Sequence, residues 1–295
     1  MNRTGMSKEP FIPVLVMLMI IFFTGCKSEP VSLYSGFDEP ADPDTTNLVA
    51  WQNIPYGLQG SFTTTNIRYP GNVPPEINLI NSWEGSGWQG EVVSSQLVLW
   101  SREDITGVHP VISGLEDGYG NTIDTSHIMI RPVRYVLTDE FLTGCGYRSA
   151  DTIPAHLVAD MLDTLSVFNI PAQSVRPLWI TIAVPLEAKP GEYKGQIRIE
   201  FSDKTSLFTI LFEVHDWQLP PPSEWHFHLD LWQNPFAVAR FHEVEPWSQE
   251  HLDLLRPIIT MLADAGQKCI TTSIVDKPWG GQTYDPFESM ITWIK

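Results

Sequence analysis

Cysteine, basic charge and long apolar runs are all in short supply in this chain. Three cysteines in 295 residues leave no disulfide framework and no Cys-based metal motif. Lysine and arginine number 18 against 35 aspartates and glutamates, a net charge of −17. A chain so acidic has no means of gripping nucleic-acid phosphates, and no nucleic-acid partner is expected. No Gly-rich phosphate loop and no Ser/His nucleophile motif occurs either. The longest early apolar stretch, Phe11 to Phe23, is 13 residues, short of the roughly 20 a membrane span requires.

That short stretch has a use of its own. It follows the basic residues Arg3 and Lys8 and ends in Phe23-Thr24-Gly25-Cys26. A basic lead, an apolar core and small residues before a cysteine resemble a lipoprotein signal peptide. Residues 1–25 are therefore expected to be removed and Cys26 acylated. Two or three acyl chains anchor stably where one does not. The expected location is the cell envelope, lipid-anchored, with the outer membrane as the preferred site and the face it occupies left open. Residues 26–47, polar and punctuated by Pro30, Pro40 and Pro43, read as a tether.

The body is rich in tryptophan (11) and proline (24), a composition of loop-rich β proteins. Between residues 48 and 218 the hydrophobic period is two. Glu91–Trp100, Ile128–Leu137, Leu178–Val184, Gln196–Phe201 and Leu207–Val214 read as strands, separated by turn dipeptides such as Asp117-Gly118. Helical spacing intrudes only around Ala155–Phe168. The fold class expected is mainly β, an antiparallel β-sandwich. Leu219-Pro220-Pro221-Pro222 is a stiff hinge over 219–222. Beyond it, from 223 to 295, the pattern changes. Phe227–Trp232 reads as a strand and Ser248 as an N-cap. Leu252, Leu255, Ile259 and Leu262 fall at helical spacing, Gly266 is a helix stop, and Cys269–Val275 is a second strand. Strand, helix, strand with short joins is the unit of a (β/α)8 barrel, here only its first part. Ser289–Lys295 reads as a second helix.

Particular runs carry a family likeness. Trp225-His226-Phe227-His228-Leu229-Asp230-Leu231-Trp232-Gln233-Asn234-Pro235 and Lys277-Pro278-Trp279-Gly280-Gly281-Gln282-Thr283-Tyr284-Asp285 resemble the opening of the catalytic barrel in glycoside hydrolase family 123-like proteins of Bacteroidetes. Gln96-Leu97-Val98-Leu99-Trp100, Pro177-Leu178-Trp179 and Pro190-Gly191-Glu192-Tyr193-Lys194-Gly195 resemble that family's N-terminal sandwich. The resemblance implies hydrolysis of β-N-acetylgalactosaminides, with a glycan containing N-acetylhexosamine as partner and no cofactor. It also implies that the substrate's own acetamide oxygen attacks the anomeric carbon, an exception to the two-carboxylate scheme. The acid/base and orienting carboxylates would then be an adjacent Asp–Glu pair on a later barrel strand, which this reading places beyond Lys295. The adjacent acids present, Glu103-Asp104, Glu116-Asp117 and Asp139-Glu140, sit in the sandwich as turn residues. No catalytic residue is assigned.

Candidate sugar contacts cluster near the ends of the two expected strands, where a barrel carries its chemistry. Asp230, Asn234, Lys277 and Asp285 could hydrogen-bond hydroxyls, and Trp279 and Tyr284 could stack on a sugar face. Trp232 is expected in the core, and Trp83 and Trp88 at an interdomain surface. His226, His228 and Asp230 alternate along one strand face. That pattern also opens metal-dependent amidohydrolases, but a hydrogen-bonded, metal-free interior is the expectation here. Cys145 and Cys269 are expected to be small buried hydrophobes. A non-catalytic glycan-binding lipoprotein and an amidohydrolase fragment remain the alternative readings. The lipoprotein expectation is directly testable. Labelled palmitate should enter the protein in vivo, and Cys26→Ala should abolish incorporation; unchanged labelling of that variant removes the anchor.

Overall fold

The structure, a computed structural model, describes residues 39–40, 49–138, 156–273 and 292–294. Twelve strands come first. They are β1 (Gln59–Thr63), β2 (Ser82–Gln89), β3 (Val92–Ser101), β4 (Ile105–Ile112), β5 (Leu115–Glu116) and β6 (Thr122–Ile123). There follow β7 (Ile128–Thr138), β8 (His156–Leu162), β9 (Phe168–Ile170), β10 (Ser174–Ala183), β11 (Gly191–Phe201) and β12 (Lys204–Gln218). Two helices, α1 (Pro235–His242) and α2 (Gln249–Asp264), then precede β13 (Thr271–Ser273) and β14 (Thr292–Ile294).

The first twelve strands form two sheets that share one core. One sheet has five strands in the order β1-β3-β10-β7-β8, every pair antiparallel. The other runs β2-β12-β11-β4-β9, with the short β5 and β6 attached to β11. The expectation of an antiparallel sandwich therefore holds with one change: β2 pairs with β12 in parallel. Alternation explains which side faces in. Tyr193, Ile197, Ile199 and Phe201 from β11 and Phe208, Ile210, Phe212 and Val214 from β12 point inward. They meet Leu97, Leu99, Leu178, Ile180 and Ile182 of the facing sheet. Each such side chain removed from water stabilises the fold by about 1.5–3 kcal/mol. The contact is close enough that a Cβ on Gly60 would lie 2.6 Å from the Phe208 ring, so that position admits no side chain without a shift.

The five-stranded sheet is covered on its other face as well. Trp51 and Tyr69 from the segment before β2 pack on Val98, Trp100 and Val175, and Val133, Tyr135 and Ala159 make a third cluster. Polar groups on this covered face find partners. Gln96 donates to the carbonyls of Thr64 (2.7 Å) and Ile67 (3.1 Å), and Trp51 Nε1 donates to the Asn72 carbonyl at 2.7 Å. Arg176 is 8% exposed. It donates to the Val133 carbonyl and makes a two-pronged ion pair with Glu39, whose carboxylate also accepts from the Tyr135 N–H. Glu39 belongs to the stretch read as a tether, yet here it is built into the body.

Four expectations change. Residues around Ala155–Phe168 are not helical: β8 pairs with the edge of β7 across a bulge. Its Ala, Leu and Met side chains favour helix locally, but an open strand edge and packing of Ala159 on Val133 and Tyr135 decide otherwise. Phe227–Trp232 is not a strand. Among the described residues its ladder link is at the next residue, a parallel bridge between Gln233 and Thr272. Residues 292–294, expected in a helix, form β14, which pairs antiparallel with β13; the rest of 289–295 lies outside the described residues. Finally, Trp83 stacks on Phe212 at 6.2 Å within the sandwich and does not serve an interdomain surface. No described helix is long and apolar enough to cross a membrane.

The Glu39–Arg176 pair predicts an acid dependence. Burial raises the Glu39 carboxyl, but the Arg176 hydrogen bond and charge and the Tyr135 N–H outweigh it and hold it below its ordinary value. Burial likewise raises the Asp163 carboxyl, but the Arg134 hydrogen bond and charge and the Leu165 and Thr164 N–H groups outweigh it and hold it low. A depressed carboxyl contributes stability that is present above its unfolded value and lost as pH falls through its folded one. Urea titrations between about pH 7 and pH 3 should show stability falling with acid. Glu39→Gln should cost about 3 kcal/mol at neutral pH, the scale for breaking a buried pair, and flatten that profile. An unchanged profile would show that Glu39 is not held at Arg176.

Candidate functional site

Of the candidate contact residues, Asp230 and Asn234 fall in the described segment from Trp225 to Thr272. Asn234 caps α1: its side-chain oxygen accepts from the Ala237 N–H at 3.3 Å, with Pro235 at the first helical position. This is the favoured use of Asn before Pro. Ser248 caps α2 in the same way, accepting from the His251 N–H at 3.2 Å. His251 is fully buried. Its Nδ1 accepts from the Trp247 N–H at 2.8 Å, which leaves Nε2 to donate to the Pro235 carbonyl at 2.9 Å. That ring ties the start of α2 to the start of α1. Gly266 closes α2 with φ +98°, and a Cβ there would lie 2.7 Å from Trp225. Both conformation and space demand glycine.

After Gly266 comes the residue that organises the site. Gln267 is 9% exposed and spends its amide on backbone. Its Oε1 accepts from the Leu231 N–H at 3.1 Å, and its Nε2 donates to the carbonyls of Leu231 (3.2 Å) and Cys269 (2.7 Å). Two residues further along each segment, the Gln233 N–H bonds the Thr271 carbonyl at 2.9 Å, and Thr272 Oγ1 donates to the Gln233 carbonyl. Two segments that lack a regular ladder are thereby held in parallel register. Asp230 and Cys269 each lie three residues before the Gln233–Thr272 bridge, so they face each other.

The resulting constellation is His228, Asp230 and Cys269. The Cys269 thiol lies 3.6 Å from His228 Nε2 and 3.9 Å from Asp230 Oδ1. His228 is exposed and the other two are half-buried. His226, expected on the same strand face, is not part of this group, because the segment is not a strand. Cys269 is half-exposed rather than a buried hydrophobe. Trp232 is 56% exposed, a correction to its expected place in the core. Lys277, Trp279, Tyr284 and Asp285 lie outside the described residues, as do Cys26, Cys145 and Asp139-Glu140. Of the other acidic pairs, Glu103 accepts from the Gly57 N–H, Asp104 from Ala172, and Asp117 from Tyr119 and Asn121 as turn residues, while Glu116 ends β5. Sequence reasoning missed Gln267 and Cys269. Neither has a motif, and only a known register between the two segments would have paired Cys269 with Asp230.

Two clefts are notable among the described residues. One of about 350 Å³ runs beside α2, lined by Gln233, Ile259, Leu262, Gln267 and Cys269. A larger one of about 690 Å³ lies on the sandwich, floored by Tyr193 and Phe212 and walled by Glu84, Glu116, Asp117 and Glu213. Burial, and then the charge of Asp117, push the Tyr193 hydroxyl up. Because Gln267 holds the smaller site together, Gln267→Leu should strand two backbone groups of Leu231 and cost about 1–3 kcal/mol. Hydrogen exchange should show the Leu231 amide losing protection while the β11 and β12 amides keep theirs. Protection retained at Leu231 would sink this assignment.

Comparison with known proteins bears on both halves. The glycoside hydrolase 123 N-terminal domain matches residues 62–201, and the glycoside hydrolase 123 catalytic domain matches residues 232–295. No curated protein is similar enough to match. Among solved structures, a family 123 glycoside hydrolase from Clostridium perfringens, studied for glycolipid glycan hydrolysis, is 24% identical with a TM-score of 0.66. The match covers 75% of this chain and 38% of that one, so this chain spans well under half the length of that relative. An enzyme of macrocyclization in alchivemycin A biosynthesis is 9% identical over 57% of this chain and 92% of its own, with a TM-score of 0.28, too low to carry any argument. With both of the family's regions matched in order along most of its length, the chain belongs among the glycoside hydrolase family 123-like proteins.

Proposed function

We propose that this chain is the amino-terminal part of an exported, lipid-anchored glycoside hydrolase acting on glycans that contain N-acetylhexosamine. The observation that carries the reading is the pair of family matches, N-terminal domain then catalytic domain, in the order of the family. Residues 1–25 are the signal peptide, 26–47 the tether after the acylated Cys26 with its Glu39 already docked on Arg176, 48–218 the sandwich, 219–222 the hinge and 223–295 the opening of a (β/α)8 barrel. The parallel bridge between Gln233 and Thr272, with α1 and α2 between them, supports a crossover of the barrel type. The location is the cell envelope.

Chemically, the reading is substrate-assisted hydrolysis of a β-N-acetylgalactosaminide. The acetamide oxygen displaces the leaving group, so the protein supplies an acid/base and a group to orient the acetamide. Between 223 and 295 no aspartate is followed directly by glutamate, so the region read as the barrel opening does not carry that pair. Asp230 and Asn234, with Lys277, Trp279, Tyr284 and Asp285, are the sugar contacts of this reading. Asn234 keeps only its amide N–H groups for a hydroxyl, since its oxygen caps α1.

The test is hydrolysis of nitrophenyl β-N-acetylgalactosaminide by the purified 295-residue chain. No turnover above the uncatalysed rate is expected. Measurable turnover that survives a second purification would place the acid/base among these residues and overturn the placement.

A further inference from the structure

We infer that His228, Asp230 and Cys269 form a binding site for a divalent transition-metal ion of the zinc class. The inference is independent of the glycosidase reading and reverses the expectation of a metal-free interior. It starts from distances. Zinc bonds thiolate sulfur at about 2.3 Å and imidazole nitrogen or carboxylate oxygen at about 2.0–2.2 Å. Tetrahedral angles then set ligand atoms about 3.6 Å apart. Cys269 Sγ lies 3.6 Å from His228 Nε2 and 3.9 Å from Asp230 Oδ1, and the three ligand atoms all fall within 4.8 Å of one another. The span already suits an ion, with small movements left to close it.

Donor chemistry narrows the ion. One sulfur, one imidazole nitrogen and one carboxylate oxygen form a borderline set that suits zinc, cobalt or nickel, and not the all-oxygen shells of calcium and magnesium. Binding would replace the Cys269 S–H bond by an S–metal bond and release one proton. His228 and Asp230 would each contribute a lone pair without further change. Three protein ligands leave a fourth position for water.

The support beneath the site is the second argument. Gln267 fixes the backbone of Leu231, next to Asp230, and the backbone of Cys269 itself. Two of the three ligands are therefore placed by one buried amide before any ion arrives. The third, His228, is exposed and can turn inward at small cost. Lone surface carboxylates lack both features.

Cobalt(II) serves as the probe, added to metal-stripped, reduced full chain under anaerobic conditions. The expected result is a saturable sulfur-to-cobalt charge-transfer band, with visible bands of tetrahedral intensity, at one ion per chain. Zinc should displace it. Cys269→Ser should abolish the charge-transfer band, and His228→Ala and Asp230→Asn should each weaken binding roughly tenfold or more, since even outer-shell changes cost 10–100-fold. Cys145→Ser should leave the band intact. Circular dichroism of each variant separates ligand loss from unfolding, and Asp230→Asn keeps the side chain's shape should Cys269→Ser fold poorly. No saturable band, or a band that persists in Cys269→Ser and disappears in Cys145→Ser, overturns the site.

Discussion

The structure depends on one constraint: its central sheet is buried on both faces. Strand β3 turns Leu97 and Leu99 toward the facing sheet and Val98 and Trp100 toward the segment that carries Trp51 and Tyr69. A sheet covered twice loses stability with each polar side chain left unmatched, by about what a hydrogen bond is worth. Gln96 sits on the second face and Arg176 opposite Leu99 in the ladder, and their demands dictate which segments pack against the sheet. Gln96 draws in the turn at Thr64 and Ile67. Arg176, a full charge in low dielectric, needs a carboxylate, and Glu39 supplies it. The irregular chain before β2 is thus held in place by the sheet beneath it.

How much of this was readable in the residues depends on where the information lay. The main strands were legible because alternation is local. β11 and β12 bury every second residue from Tyr193 to Phe201 and from Phe208 to Val214, and a period of two needs no partner to be seen. The helix caps were legible for the same reason: Ser248 before α2 and Gly266 after it act within a few residues. What failed was decided at a distance. Strand β8 reads as helix until the free edge of β7 is known. Phe227–Trp232 reads as a strand until Gln267 is seen taking the Leu231 backbone for itself.

The candidate site shows the same division. Asp230 and Asn234 stood out by residue type and context, and the structure gives the second a structural duty at the start of α1. Cys269 did not stand out, because a lone cysteine carries no pattern. Its meaning comes from register, set by one bridge and one glutamine side chain. A period of hydrophobicity says which face a residue occupies; it does not say which residue of another segment will stand opposite.

The Glu39–Arg176 pair also separates two notions of a domain. Recognisable family sequence begins at residue 62, and composition places the body's start near residue 48. The folding unit nevertheless extends to Glu39, because Arg176 has its counter-charge there, and it includes Trp51 as a lid on the second core. A piece cut at residue 48 would keep every strand of the sandwich and still leave the Arg176 guanidinium uncompensated, and one cut at residue 62 would also lose Trp51 and most of β1. The boundary of homology and the boundary of cooperative stability are therefore different residues, and expression of the sandwich alone must respect the second.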